Sequence, residues 1–326
     1  MAAQVHDGET AGQGQDRRHE ESCPCRDEDK DKDKDKEAVA GSRIRPAMTT
    51  SGTPPLDDAA MPVFLIEEYE SEDDLPPLWE VLMDDQPEFV EELVAAGEDP
   101  WEPVLGGWSP GRLSLAGPTP GLFVAPEGEP GLSPAERALV LEAEQLRAAL
   151  ADCRHPIGLG LACVAGIDVQ EAVRRLNATP LQGSRLHALQ ENHLAGCTLD
   201  RDMRIVGVTT VPGGCLITQP WGFTPDTPEL QKRLSAGTAF YGLYANAKNG
   251  NQGSIVRDGV VEGGDLHPGG GPNPYDTLTS EEVLLAYLYR GHPVAHACAW
   301  VGLRPTDARA FTGQPDVWVE LPGRSY

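Results

Sequence analysis

Basic residues are scarce: 26 lysines and arginines stand against 51 aspartates and glutamates, a net charge of −25. A surface of that sign repels phosphate backbones and anionic headgroups, so nucleic acid and membrane are not expected partners and a basic protein surface fits better. Lysine is scarcer still. Four of the six lysines fall in the run Lys30 to Lys36, and the arginine bias beside abundant Ala, Gly and Pro points to a GC-rich genome. No apolar core of a secretory signal occurs in the first thirty residues, and the longest early apolar run, Val63 to Ile66, is far too short to span a bilayer. A cytosolic protein is expected. Paired cysteine spacings are also lacking: seven cysteines are an odd number, and the five from Cys153 to Cys298 are scattered, which suits reduced core thiols better than bridges. Cys23-Pro-Cys25 is the one dithiol spacing, and its proline and polar flanks make it incidental.

What is present allows a real core, with 40% hydrophobic residues in a chain of 326. Residues 1–74 hold 20 acidic and nine basic side chains, and the run Asp27 to Glu37 alternates charge and buries nothing. A disordered tail is expected there. Met48 and Met61 are alternative starts within it. From Leu75 the pattern changes. Leu78, Val81 and Leu82 recur at helical spacing, Asp84-Asp85-Gln86-Pro87 interrupts, and Phe89, Val90, Leu93 and Val94 resume it up to Gly97. Two short antiparallel helices are predicted, with Pro87 near the start of the second and Gly97 as a left-handed C-cap.

Pro77-Leu78-Trp79-Glu80-Val81-Leu82, continued by Glu88 to Trp101, resembles an ankyrin repeat. It departs from that family at Trp79, Asp85 and Glu98, where His, Gly and Ala are usual. A second, worn unit begins at Gly107-Trp108-Ser109-Pro110 and runs through Leu113 to Ala116, until Pro118-Thr119-Pro120-Gly121 ends it before a second helix. The ankyrin-like segment is thus 75–125. The resemblance implies a non-catalytic, partner-binding role, and Trp79, Glu80, Asp84, Asp99, Trp101 and Trp108 are the partner-binding candidates, since Trp is favoured at binding hot spots. Burial of these tryptophans against the next domain explains them equally well. About three such units are needed for independent stability, so one and a half are expected to dock on a connecting helix within 130–153. That helix starts at Ser133-Pro134-Ala135-Glu136, a capping box with proline at the first helical position. Leu139, Leu141, Leu146 and Leu150 are its expected apolar stripe.

Residues 156–326 read as an α+β domain. Leu159 to Val164, Arg204 to Val211, Cys215 to Gln219, Thr238 to Ala245 and Ser254 to Arg257 are strands, with turns at Pro212-Gly213-Gly214, Asn249-Gly250 and Asp258-Gly259, the last leading into Val260-Val261. Helices are expected from Asp168, over Glu229 to Ala236, and at Ser280 to Tyr289, Pro293 to Gly302 and Pro305 to Phe311. Hairpin-joined strands give an antiparallel sheet, with helices expected on one face. The segments Ile205-Val206-Gly207-Val208, Pro220-Trp221-Gly222-Phe223, Leu234-Ser235-Ala236-Gly237-Thr238 and Tyr244-Ala245-Asn246-Ala247 resemble an actinobacterial domain family of unknown function over about Ile157 to Thr312. That resemblance implies no activity.

Chemistry is thinly signalled. His292-Pro-Val-Ala-His296, with Cys298 beyond, has the spacing by which a helix presents two metal ligands, but Pro293 turns His292 into a cap residue and no glutamate lies between them. His187, His193 and Cys197 complete no local motif. Cys163 sits in an apolar run where a thiol is inert. The pairs Asp84-Asp85 and Glu281-Glu282 read as solvated helix surface, and Gly269 to Pro274 lacks the Lys-Ser/Thr ending of a phosphate loop. Trp221, Tyr241 and Tyr244 are candidate pocket aromatics, although Tyr241 and Tyr244 fall on opposite strand faces. No catalytic residue, cofactor or metal site is therefore assigned. The expected function is non-catalytic protein binding; the alternative is a metal-dependent or thiol hydrolase using His193, Cys197, His292 or His296, and an immunity-type binder of a basic toxin is a third reading.

Overall fold

Side-chain caps begin four of the described helices in the computed structural model, which describes residues 77–153, 157–192, 204–246, 248 and 250–323 and the backbone of two short strands before them. The chain divides into two units, Met1–Asp74 and Leu75–Tyr326. In the first, β1 (Arg43–Ile44) pairs antiparallel with β2 (Ile66–Glu67); the expected tail otherwise lies outside the described residues.

The second unit opens with α1 (Leu78–Met83) and α2 (Val90–Ala96), the latter entered through a tight turn at Pro87–Phe89. Gly97 at φ +106° ends α2 as expected, its N–H donating to the carbonyls of Leu93 and Val94. Asp85 stands in the left-handed region too, at φ +53°. Aspartate tolerates that backbone better than most residues, and its carboxylate pairs with Arg290, whose guanidinium lies 4.4 Å over the Tyr287 ring. The worn second unit supplies α3 (Pro110–Ser114), capped by Ser109, and no helix follows it before Ser133. The capping box then forms as expected: Ser133 accepts from Glu136 N–H, Glu136 accepts from Ser133 N–H, and α4 runs over Pro134–Ala149.

The eight strands of the large sheet are β3 (Gly160–Ala165), β4 (Thr179–Pro180), β5 (Ile205–Val211), β6 (Gly214–Gln219), β7 (Ala239–Asn246), β8 (Gly250–Arg257), β9 (Val260–Asp265) and β10 (Val317–Glu320). Their order is β4-β10-β5-β6-β3-β7-β8-β9, and every pairing is antiparallel. The Asp258-Gly259 hairpin turn forms between β8 and β9, with φ of +48° and +77°. One edge is the two-residue β4, which ends in proline; the other is β9.

Helices cover both faces, not one. On one face Leu161, Cys163, Leu216, Tyr241 and Leu243 share a cluster with Ala143, Leu146 and Leu150 of α4, with α8 (Ser280–Leu288) and α9 (Pro293–Trp300), and with Trp79, Leu82, Trp108 and Leu113. On the other, Ala162, Val164, Val208, Ile217 and Phe240 meet Ala172 and Leu176 of α5 (Val169–Leu176) and Leu230 and Leu234 of α7 (Pro228–Leu234). The cause is visible in Leu161-Ala-Cys-Val164: a strand with no polar alternation demands burial on both sides.

Three further differences remain. Pro305 to Phe311 is a run of bends and turns rather than a helix, and its Ala310 carbonyl accepts from Thr218 Oγ1 of the sheet at 2.9 Å. The stripe on α4 is Ala143, Leu146 and Leu150, while Leu141 is 60% exposed and Leu139 is exposed as well; Leu141, two residues from Ala143, faces nearly the opposite way. Finally, α6 (Gly183–Glu191), β4 and β10 carry no sequence expectation. The hairpin does share a core with α4, but it is also held by the chain just before and at the start of α8. Its own small interior, Leu78, Val81, Val90 and Leu93, is closed by Phe123.

Candidate functional site

The six residues assigned to partner binding do not form one surface. Trp79 and Trp108 are buried, and each indole N–H donates across the chain, to the Pro272 carbonyl at 3.0 Å and the Ser280 carbonyl at 2.8 Å. Trp101 is half-buried and donates to the Val124 carbonyl at 3.2 Å. Glu80 is half-buried, whereas Asp84 and Asp99 are exposed, and Asp99 spends one oxygen on the Trp101 N–H. Burial, not display, is thus the role of Trp79 and Trp108: a large indole next to a short helix seals the cluster that neither helix closes alone.

The thiols and histidines of the hydrolase alternative fare no better. Cys153, Cys163, Cys215 and Cys298 are all buried. Burial pushes Cys153 up to about 11, Cys215 up to about 12 and Cys163 well above the ordinary thiol range, the last reinforced by Cys298 at 3.9 Å. None of these three shifted thiols offers a thiolate at neutral pH. His193 and Cys197 lie outside the described residues. His292 is the N-cap of α9, as Pro293 implies, and among the described residues no three His, Cys, Asp or Glu side chains converge as metal ligands.

Gly107-Trp108-Ser109-Pro110-Gly111 fits the residue pattern of a nucleophile elbow. Its context is wrong for that chemistry. Ser109 is buried, follows no strand, and accepts from Arg112 N–H at 3.1 Å as the cap of α3.

An outward-facing cluster forms instead at one end of the sheet. The loop after β6 carries Trp221, 53% exposed, and Phe223, 45% exposed, beside Ile157 at 63%. The indole lies against Gly158, where any Cβ would collide with it, and Gly222 N–H donates to the Gly158 carbonyl at 2.9 Å. Phe223 meets the Tyr244 ring at 5.7 Å. Tyr244 is on the face opposite Tyr241, as the strand period requires.

Asp226 anchors this loop to the sheet. The turn Thr224–Asp226 lies on β7 at Gly242, where a side chain would overlap Asp226 Oδ1. Asp226 Oδ1 accepts from Gln231 Nε2 at 2.8 Å and Oδ2 from Ser254 Oγ at 3.2 Å. Burial raises the Asp226 pKa, and those two hydrogen bonds offset part of the rise. Both oxygens being engaged, Asp226 is a positioning residue for the aromatic loop. The sequence marks Pro220-Trp221-Gly222-Phe223 but not its exposure, which depends on what covers it.

Tyr241, Asp265 and His296 form a second polar group, on the opposite face. Tyr241 is fully buried and donates from its hydroxyl to Asp265 Oδ2 at 2.6 Å; burial first, and Asp265 second, hold the phenol protonated. His296 is buried beside it. Against this geometry, no protein-family model, curated protein or solved structure matches the chain.

Proposed function

We propose that this chain is a non-catalytic, acidic binding protein that meets a basic protein partner through Trp221, Phe223 and Ile157. The observation that carries the reading is the exposure of two aromatic rings on one loop held down by Asp226 and Gly158, with exposed Ile157 next to Gly158 in the chain. Rigid exposed aromatics are costly unless something covers them, and they are the side chains that dominate protein contacts. A net charge of −25 favours a partner of opposite sign and speeds its approach. An immunity-type capture of a basic toxin is one form of this reading. The ankyrin-like segment then acts chiefly as a cap on the α+β layer, because its two buried indoles bond inward. A cytosolic setting agrees with four buried, unbridged cysteines.

The test is photo-crosslinking in the cells that make the protein. A photoreactive residue replaces exposed Gln252, which is in register with Tyr244, and in a second strain replaces exposed Leu141 on α4. A discrete adduct at position 252 that disappears in the Trp221→Ala, Phe223→Ala background, with none at 141, supports the reading. Equal labelling at both positions, or none at 252, contradicts it.

A further inference from the structure

Asp265 ends β9 at the open edge of the sheet, and its carboxylate is shared by two donors. Tyr241 O–H reaches Oδ2 at 2.6 Å and His267 N–H reaches Oδ1 at 2.9 Å. Tyr241 stands on β7, so its phenol must cross β8; it passes over Gly253, the residue in register with Asp265, where a side chain would block it. His296 on α9 meets the Tyr241 ring edge-on at 5.8 Å. Its side chain is nine-tenths buried, and Nδ1 has no hydrogen-bond partner among the described residues. That nitrogen faces Asp265 Oδ2 from 3.8 Å, beyond hydrogen-bond reach. Native interiors seldom leave a buried nitrogen without a hydrogen-bond partner.

The donor count points to the ligand. Burial pushes the His296 pKa down, with Asp265 pulling the other way, so the ring is neutral at neutral pH and Nδ1 accepts when the proton sits on Nε2. Asp265 only accepts. Two converging acceptors, one of them charged, call for a cation with more than one N–H, and a primary ammonium carries three. The surrounding rings suit the same charge: Trp300 is half-buried and lies 5.7 Å from Tyr241. Arg257, 5.8 Å over Trp300, is the one cation nearby among the described ring contacts, and it is paired with Glu262 at 3.1 Å.

We propose that Asp265, His296 and Trp300 form a binding site for a primary alkylammonium group. Asp265 supplies the charge and one acceptor, His296 Nδ1 the second acceptor, and Trp300 an aromatic wall for the alkyl chain, while Tyr241 positions the carboxylate. The ammonium belongs either to a lysine side chain of a protein or to a free amine. The site is on the sheet face opposite Phe223 and Tyr244, so it stands or falls apart from the protein-binding surface.

The experiment titrates the full chain with n-butylammonium chloride at constant ionic strength and follows the histidine ring nitrogens in long-range 1H–15N spectra. His296 is assigned by the signal lost in His296→Gln. A saturable shift of Nδ1 is expected, together with binding at least about tenfold weaker for n-butyltrimethylammonium, which has the charge but no N–H, the loss expected for one charge-assisted hydrogen bond. Asp265→Asn should weaken butylammonium by about the same factor. No saturable shift, or equal affinity for the two cations, overturns the proposal. Should either variant fail to fold, calorimetric titration of the unaltered chain with the two cations applies the same criterion. Tighter binding of Nα-acetyl-lysine methylamide than of butylammonium assigns a protein lysine; weaker binding assigns a free amine.

Discussion

Trp108 and Trp221 occupy nearly the same local setting. Each stands beside glycine in a short loop, just ahead of a proline-bearing helical turn. Yet Trp108 is 1% exposed and Trp221 is 53% exposed. What separates them lies far away in sequence. The start of α8, 172 residues beyond Trp108, presents the Ser280 carbonyl to its indole N–H at 2.8 Å, and Arg112 covers the ring from 4.2 Å. Trp221 rests on Gly158 with its remaining surface outward. An indole closed in on all sides stabilises the fold; one held on a single side offers a contact. Residue type alone therefore does not identify a binding tryptophan.

The comparison is broken most easily through stability. Trp108→Ala should cost about 3–5 kcal/mol in urea unfolding, the loss typical of a large buried aromatic, whereas Trp221→Ala should stay within about 1 kcal/mol because its ring is half in solvent. Equal losses would remove the distinction. A smaller effect sharpens the docking of the hairpin. Asp85→Ala places a Cβ-bearing residue without aspartate's tolerance at φ +53° and removes the pair with Arg290, for about 1–2 kcal/mol, mostly from the backbone. Asp85→Gly keeps the backbone and should lose less, a ranking that thermal melts can check.

Smaller still is the pH response of the loop anchor. Because burial raises the Asp226 pKa above its ordinary 3.8, the unfolded chain releases this proton first as pH rises. The cost of the buried charge is absent below the unfolded value and grows as pH rises through the folded one. The stability of the unaltered chain relative to Asp226→Asn should therefore decline from pH 4 to pH 7, which urea midpoints at the two pH values would show. A constant difference would free Trp221 and Phe223 from this anchor. Thiol labelling adds a check on both faces: Cys163, Cys215 and Cys298 should resist a thiol reagent in the native chain and react on unfolding, since all three are buried.

Local chemistry was the legible part of the sequence. Gly97, the Ser133–Glu136 capping box, Asp168 as the cap of α5 and the Asp258-Gly259 turn all act within four residues of where they stand. Their signals need no partner. The edge pairings of β4 and β10 were not legible, because Val317-Trp318-Val319 becomes a strand only against Val206 to Val208. The same limit applies to Leu141 and Leu146, two leucines of one helix that a non-local neighbour sorts into surface and core. For the candidate site, Trp221 and Tyr244 were marked by residue type, while Asp226 and Asp265 were not. A lone aspartate has no pattern, and Gly242 and Gly253, which make room for Asp226 and for the Tyr241 hydroxyl, reveal their purpose only in register.

The central claim is that Trp79 and Trp108 of the ankyrin-like segment belong to the core and the outward aromatic surface belongs to the Pro220–Phe223 loop. Hydroxyl-radical footprinting of the intact chain, read by mass spectrometry, tests it most directly because oxidation rate follows side-chain exposure. Trp221 should oxidise at least about ten times faster than Trp79 or Trp108, in keeping with the exclusion of solvent from packed interiors. Comparable rates at the three tryptophans, or faster oxidation at Trp79 and Trp108, would contradict it.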